Sequence, residues 1–241
     1  MLTSSLLDFS RIGVISATML YASYRDWVDR EVDDWVWLVG GGVGAALTAL
    51  DLILYWNMAK LIFSLISIAL TSGLAFAFYF FGLYGGADAK AVAVISISLP
   101  LYYVERSFHP FTGLASLSNG LLVSLILPIS MLVYNLTQVM KGRKLFKDFE
   151  HEGAWRKLLA LFLGTRVVNS RGKEFWFSME EEREGKRYFS FNVLSVELEK
   201  IRDDMWATPG IPLLIFITVG FLLYITYGDL IYLIVSLLHL R

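Results

Sequence analysis

Two carboxylates in this sequence are placed to work as an acid–base pair. Asp26 lies in Tyr24-Arg25-Asp26-Trp27-Val28-Asp29-Arg30-Glu31-Val32-Asp33-Asp34, just after an apolar run, and Asp88 lies in Gly85-Gly86-Ala87-Asp88-Ala89-Lys90, just before one. Two carboxyls held close together cannot both ionise cheaply, so their pKa values separate. One can then take a proton from water while the other, still protonated, donates to a carbonyl oxygen and later to a leaving nitrogen. That is the chemistry of peptide hydrolysis, and it needs no metal and no cofactor. Competing catalytic sets are missing. The three histidines, His109, His151 and His239, fall in separate regions, and Ser-His-Asp and zinc-ligand spacings are absent. The chain has no cysteine, which excludes disulfides, Cys-based zinc sites and thiol nucleophiles.

The elements that must position this pair are membrane spans. Of the 241 residues, 56% are hydrophobic and 18% charged, against about 25% charged in a typical soluble domain. Apolar runs near the length needed to cross a hydrocarbon core recur along the chain. Trp and Tyr collect near their ends, where amphipathic rings suit the membrane–water boundary. The expected fold is an all-α polytopic membrane protein with six spans, over 6–24, 35–56, 61–83, 89–103, 120–140 and 211–238. Pro100 lies in the fourth, Pro128 in the fifth, and a Thr208-Pro209-Gly210-Ile211-Pro212 turn opens the sixth. The first run has no basic segment before it and leads into an acidic loop, so it does not read as a cleaved signal peptide. The segment 141–207 is charged and has no long apolar run. Helical spacing covers 146–162, short aromatic strands cover 174–179 and 187–193 with a polar connection at 180–185, and a short amphipathic helix is expected over 196–205. The expected domains are therefore a five-helix membrane part carrying the dyad (1–140), a soluble domain with a short β-hairpin (141–207) and a sixth transmembrane helix (208–241).

Orientation follows from Lys and Arg in the loops. With the N-terminus outside, Arg25, Arg30, Lys90 and the basic residues of 141–207 all fall inside, including the membrane-proximal Lys141, Arg143, Lys144 and Lys147. Both Asp26 and Asp88 then lie at the cytoplasmic face. This placement comes from charge counting alone and is independent of the catalytic reading. Gly85 and Gly86 are expected to let the backbone turn sharply between spans three and four, and small side chains there leave room for a substrate strand. The bland readings differ. Asp51, deep in span two, is expected to face the bundle in a structural role. Lys90 is expected to snorkel to the interface, with tuning of Asp88 as the alternative. The acids of the 29–34 loop read first as a solvated face, the aromatic strands as a small core, and Glu105, Arg106 and His109 as outer-loop residues.

The string Gly85-Gly86-Ala87-Asp88-Ala89-Lys90 resembles the Gly-x-Gly-Asp signature of type IV prepilin peptidases and archaeal preflagellin peptidases, including the Lys two residues after the Asp. Ala87 replaces the second Gly. Asp26 to Asp34 is similar to the family's other pattern, Asp-x-x-x-Arg-x-Val/Ile-Pro-Asp, with Asp33 where Pro is common. The resemblance implies a membrane-embedded aspartic endopeptidase with Asp26 and Asp88 as catalytic residues and Gly85, Gly86, Ala87 and Lys90 shaping the site. It implies preflagellin or pilin-like precursors as partners, each with a short basic leader ahead of a hydrophobic helix lying in the bilayer. Asp29, Glu31 and Asp33 would then meet that leader. The absence of cysteine and of residues before the first span points to the peptidase-only archaeal type, without methyltransferase activity. No nucleic-acid partner is expected. A presenilin-like intramembrane protease is the alternative within catalysis, but its first aspartate lies mid-span. A small proton-coupled transporter is the alternative outside it, but repeated halves and broken midplane helices are not evident in the sequence.

Overall fold

A computed structural model describes residues 2–173, 175–191 and 201–239. The chain divides into two compact units, residues 1–124 with 212–241, and residues 125–211.

The first unit is helical. Helix α1 (Leu2–Asp29) ends at Arg30, whose φ of 57° takes the chain out of helical geometry. Helices α2 (Asp34–Leu54) and α3 (Met58–Phe80) are long and apolar enough to cross a membrane. Helix α4 (Gly86–Ser98) differs from them. It has 13 residues, about 20 Å at 1.5 Å per residue, and it is buried nearly all round, by Ala89, Ala91, Val92, Val94 and Ile95 among others. Helix α5 (Thr112–Ser124) and helix α8 (Leu213–Thr226) form the unit's most extensive helix–helix packing. Membrane helices gain little by burying apolar surface from lipid, so close approach over small residues does the holding. A Cβ on Gly44 of α2 would lie 1.9 Å from Ser98 Oγ, and one on Gly113 of α5 would lie 2.8 Å from Ser96 Cβ. Those glycines let α2 and α5 close on α4. Hydroxyls tie α1 to α8 as well, with Ser23 Oγ 2.7 Å from Thr218 Oγ1.

Among the described residues three helices, or four with one bent pair, qualify by length and composition as membrane spans: 34–54, 58–80, 112–140 and 213–238. The expected spans are corrected in three places. The fourth is a helix over 86–98 rather than an element over 89–103, because the residue before Pro100 is biased away from helical geometry. The fifth starts earlier, at Thr112, and is interrupted at Leu125 before a second helix, α6 (Ile126–Met140). Pro128 cannot donate to Ser124 and its ring crowds that carbonyl, so the break falls there. The sixth is not continuous. Helices α8 and α9 (Leu230–His239) meet at a 64° bend. Gly228 at φ +105° breaks the helix, Asp229 Oδ1 caps α9 by accepting from Ile231 N–H at 2.9 Å, and Asn119 holds the break by donating to Gly228 O at 3.0 Å and accepting from Leu230 N–H at 2.8 Å.

The second unit joins α6 and helix α7 (Ala154–Leu163) to two small sheets. Strands β1 (Thr165–Val167), β5 (Met205–Pro209) and β2 (Trp176–Ser178) form an antiparallel sheet in the order β1-β5-β2. Strands β3 (Glu180–Arg183) and β4 (Lys186–Phe189) form a hairpin. The expected pairing is corrected here. The aromatic strand at 176–178 pairs with β5, and the stretch expected to be a polar connection is itself β3. Glu184 and Gly185, at φ 51° and 72°, make the two-residue turn, as tight hairpins require positive φ at both positions. The helical spacing over 146–162 is realised only from Ala154 onward. Residues 196–200 of the expected amphipathic helix lie outside the described residues, as do Glu174, Asn192 and Val193 of the expected strands, and Met205 belongs to β5. Phe149, Phe189 and Trp206 fill the unit's core. Asn135 Nδ2 fastens α6 to α7, donating to Leu161 O at 2.9 Å and Gly164 O at 2.7 Å.

The α5–α8 crossing supplies a direct test of this packing. A Cβ on Gly220 would lie 2.3 Å from Ser116 O and 2.4 Å from Gly120 N, both backbone atoms. Overpacking costs typically about 1–3 kcal/mol, more where the struck atom cannot move. Gly220→Val is expected to lower the thermal midpoint of the detergent-solubilised protein sharply, whereas Gly13→Val, with nothing within 4 Å, leaves it unchanged.

Candidate functional site

Asp26 is half-buried in the last turn of α1, and Asp88 is the third residue of α4, 9% exposed. Both lie beyond the apolar stretches, at helix ends. Asp88 Oδ2 accepts a hydrogen bond from Gly85 N–H at 3.1 Å, so the side chain caps its own helix. Gly85 has no side chain to reciprocate. Burial, and then the charge of Asp26, push the Asp88 carboxyl up to about 7, against the downward pull of the Gly85 hydrogen bond. Asp26 is raised too, by burial, with the Arg30 guanidinium opposing it. Helix α1 packs against α4, and the two carboxyls act on one another through that packing. Asp88 is the more deeply buried of the two, and Arg30 opposes the rise only at Asp26.

The glycines act otherwise than by bending the chain. Gly85 sits at φ −75°, ψ 160°, a conformation any residue adopts, and the left-handed residue in this connection is Gly82 at φ +69°. A Cβ at position 85 would stand 3.3 Å from Asp88 Oδ2, and one at 86 would stand 3.4 Å from Tyr79 Cε2. Gly85 leaves space at the carboxyl, and Gly86 leaves space for the Tyr79 ring. Ala87 packs against the main core. Tyr84 donates to Ala75 O at 2.9 Å, and burial together with the Asp88 charge pushes its phenol up to about 12.

Lys90 does not reach Asp88. Its Nζ pairs with Asp34 Oδ1 at 2.5 Å, joining α4 to the start of α2. Arg25 pairs with Asp29 at 2.9 Å and lies 3.9 Å from Asp33. Of the acids in this loop, Glu31 makes no ion pair among the described residues. In the sequence Arg25 and Arg30 serve orientation, Arg30 the motif, and Asp34 the acidic loop, and none of the three is assigned a partner. The signal was available for Arg30, since it follows Asp26 at helical i,i+4 spacing. Nothing local signalled the Lys90–Asp34 pair, which spans 56 positions. Among the described residues no group of three or more His, Asp or Glu side chains is gathered in a way that would hold a metal ion.

Comparisons with known proteins agree with this layout. The type IV leader peptidase family matches residues 13–136, just over half of the chain, and the archaeal peptidase A24 C-terminus, type II, matches residues 156–230. The preflagellin peptidase of Methanococcus voltae is 26% identical over 228 residues, covering 88% of this chain and 91% of that protein. The preflagellin peptidase of Methanocaldococcus jannaschii is 21% identical over 224 residues, covering 88% and 90%. The apolar helices, together with these matches, define a membrane peptidase. The chain belongs to the type IV leader peptidase family.

The Asp88 environment has a consequence for stability. Its folded pKa is raised from an ordinary 3.8 to about 7. Below 3.8 the carboxyl is neutral whether folded or unfolded. As pH rises from there to about 7, the unfolded chain gains by ionising and the folded chain does not, so the folded state loses stability across that window. The total is on the order of a few kcal/mol. Asp88→Asn, neutral throughout and able to accept from Gly85, should therefore gain in thermal midpoint on the wild type between pH 4 and pH 7. A difference between the two proteins that does not change with pH would refute buried-carboxyl coupling.

Proposed function

We propose that this peptidase removes the leader from preflagellin, and from pilin-like precursors, with Asp26 and Asp88 as its acid–base pair. The observation that carries the reading is the electrostatic coupling of the two carboxyls at the ends of α1 and α4. Asp26, kept the more acidic by Arg30, takes a proton from water as the water attacks the scissile carbonyl carbon. Asp88 gives its proton to the carbonyl oxygen. When the tetrahedral intermediate collapses, a proton passes to the leaving nitrogen, and the pair is restored. Gly85 and Gly86 leave the strand being cut free to approach. In the membrane, α1, α2, α3, α4, α5–α6 and α8–α9 make six crossings, with the N-terminus outside and the dyad and the sheet-bearing unit in the cytoplasm. The concentration of Lys and Arg in Arg25, Arg30, Lys90 and 141–207 supports that orientation. Full-chain enzyme and a leader-bearing precursor in detergent provide the test. Asp26→Asn and Asp88→Asn should each remove cleavage by several orders of magnitude while the protein stays folded, and the wild-type rate should follow a bell in pH whose limbs belong to the pair. The descending limb should fall near pH 7, where Asp88 gives up its proton. Appreciable turnover by Asp88→Asn excludes the assignment.

The loop after α1 is the proposed contact for the basic leader. Asp29 and Asp33 already face Arg25, and Asp34 faces Lys90, so their fields are partly spent. Glu31, exposed and with no ion pair among the described residues, is the acid best able to meet a leader cation. Exposed pairs contribute about 0–1 kcal/mol. Glu31→Gln should thus raise KM up to about fivefold with kcat held, and the combined neutralisation of Asp29, Glu31 and Asp33 should raise it further. Added salt should shrink both effects, as it screens exposed charge. Unchanged KM for the triple variant at low salt identifies the loop as a solvated face.

A further inference from the structure

The 125–211 unit contains a cleft of about 400 Å³ that the peptidase reading does not use. It opens where α6 ends. Tyr134 and Gln138 line it from the last turns of that helix, Lys141 and Arg143 from the turn that follows, and Thr165 from β1. The turn is fixed by its own backbone, with Lys141 N–H donating to Thr137 O at 3.1 Å and Arg143 N–H to Gln138 O at 3.1 Å, and with Gly142 at φ +81°.

The charges in the cleft are of one sign. Lys141, Arg143, Arg166 and Lys173 line it, and no Asp or Glu does. Arg166 is already satisfied, forked onto Asp204 at 2.6 and 2.7 Å and 3.2 Å from Asp148. The other three are not. Lys141, Arg143 and Lys173 make no ion pair among the described residues. Lys173 Nζ lies 3.4 Å above the centre of the Trp176 ring, and partial burial pulls its ammonium below the ordinary lysine range, a cost that an anion beside it would offset. A second observation is independent of charge. Thr165 is only 5% exposed, it lines the cleft, and its Oγ1 has no hydrogen-bond partner. A buried hydroxyl left unpaired is costly, and such groups usually meet a partner. Three uncommitted cations and one donor hydroxyl around one space fit several anionic oxygens on a single centre.

We propose that this cleft binds a phosphate-bearing anion, with the headgroup of an anionic membrane lipid as the source its position favours. Helix α6 closes the apolar stretch 112–140, which has the length and composition of a membrane span, and the cleft begins in the last turns of that stretch. Headgroup phosphates lie at that depth, and basic residues next to a span attract them. The cleft's sign is wrong for a basic leader, so it is not a second substrate site. A soluble phosphate offers the same oxygens, and the test separates the two.

The full chain in zwitterionic detergent would be titrated with short-chain phosphatidylglycerol, short-chain phosphatidylcholine of the same tails, and inorganic phosphate, reading the thermal midpoint and, by native mass spectrometry, the bound species. Phosphatidylglycerol should bind and raise the midpoint, and phosphatidylcholine should not. Lys141→Gln, Arg143→Gln and Lys173→Gln should each weaken that binding about fivefold, and Thr165→Val should weaken it further. Lys144→Gln with Lys147→Gln removes two exposed lysines that do not line the cleft and should leave the response intact. Inorganic phosphate matching phosphatidylglycerol at equal concentration would assign the site to a soluble phosphate, and lipid alone would assign it to the membrane. Equal binding of the two lipids, or a triple cleft variant that responds like the wild type, overturns the proposal.

Discussion

Burial and a neighbouring negative charge both push a carboxyl toward its protonated form, and the packing of the helical unit keeps Asp88 buried. Asp88 opens α4, and α4 is short and enclosed. A helix of that length covers about 20 Å, less than the roughly 30 Å of a hydrocarbon core, so the surrounding helices must enclose it and bring its N-terminus to a defined depth. They do so by closing over small residues. Gly44 and Gly113 admit Ser98 and Ser96 of α4 at distances no larger residue would allow. Were α2 or α5 to stand further off, water would reach the first turn of α4 and the burial that raises Asp88 would weaken. Helix α1 contributes through its length. It continues past Tyr24 to Asp29, and that extra turn places Asp26 where its charge reaches Asp88.

Much of this arrangement is legible in the sequence, and the parts that are not have physical causes. Periodic apolar runs locate α1, α2 and α3 because each keeps one environment over its length. Helix α4 is legible as an apolar stretch, but its boundaries are not, since its end depends on Pro100 and its start on the reach of Asp88 back to Gly85. The two broken spans carry local signals, Pro128 three residues after Leu125 and Gly228-Asp229 between α8 and α9, yet hydropathy averaged over a window passes across both. In the smaller unit the alternation of aromatics reveals strands without revealing partners. Strand β5 pairs with β1 and β2 across long separations, and only the Glu184-Gly185 turn fixes a pairing locally. The proposed dyad is marked twice in the sequence, by the motif strings of its two members and by loop charge. Its asymmetry is not legible, since it comes from how deeply each carboxyl is buried.

The same residue type at the two ends of the membrane part shows what wiring decides. Asp51, 1% exposed, has Lys60 Nζ at 2.6 Å and Arg11 at 3.3 Å, and Arg11 also pairs with Asp8. The two cations enclose this buried carboxyl, and removing either partner from such a buried ion pair costs about 3–5 kcal/mol. Such a site ties α1, α2 and α3 together. Asp88 is buried to a similar degree and makes no ion pair among the described residues. Its neighbours are a backbone N–H and a second carboxyl. Lys90 pairs with Asp34 and Arg25 with Asp29. Arg30 acts on Asp26. Lys90 makes its ion pair with Asp34 and not with Asp88. Two positions after Asp88 it sits on another face of α4 and spends its charge on α2, so the acid keeps a proton that an adjacent ammonium would have driven off. Burial alone makes an aspartate costly; burial beside a like charge, with the cations turned away, makes it an acid near neutral pH.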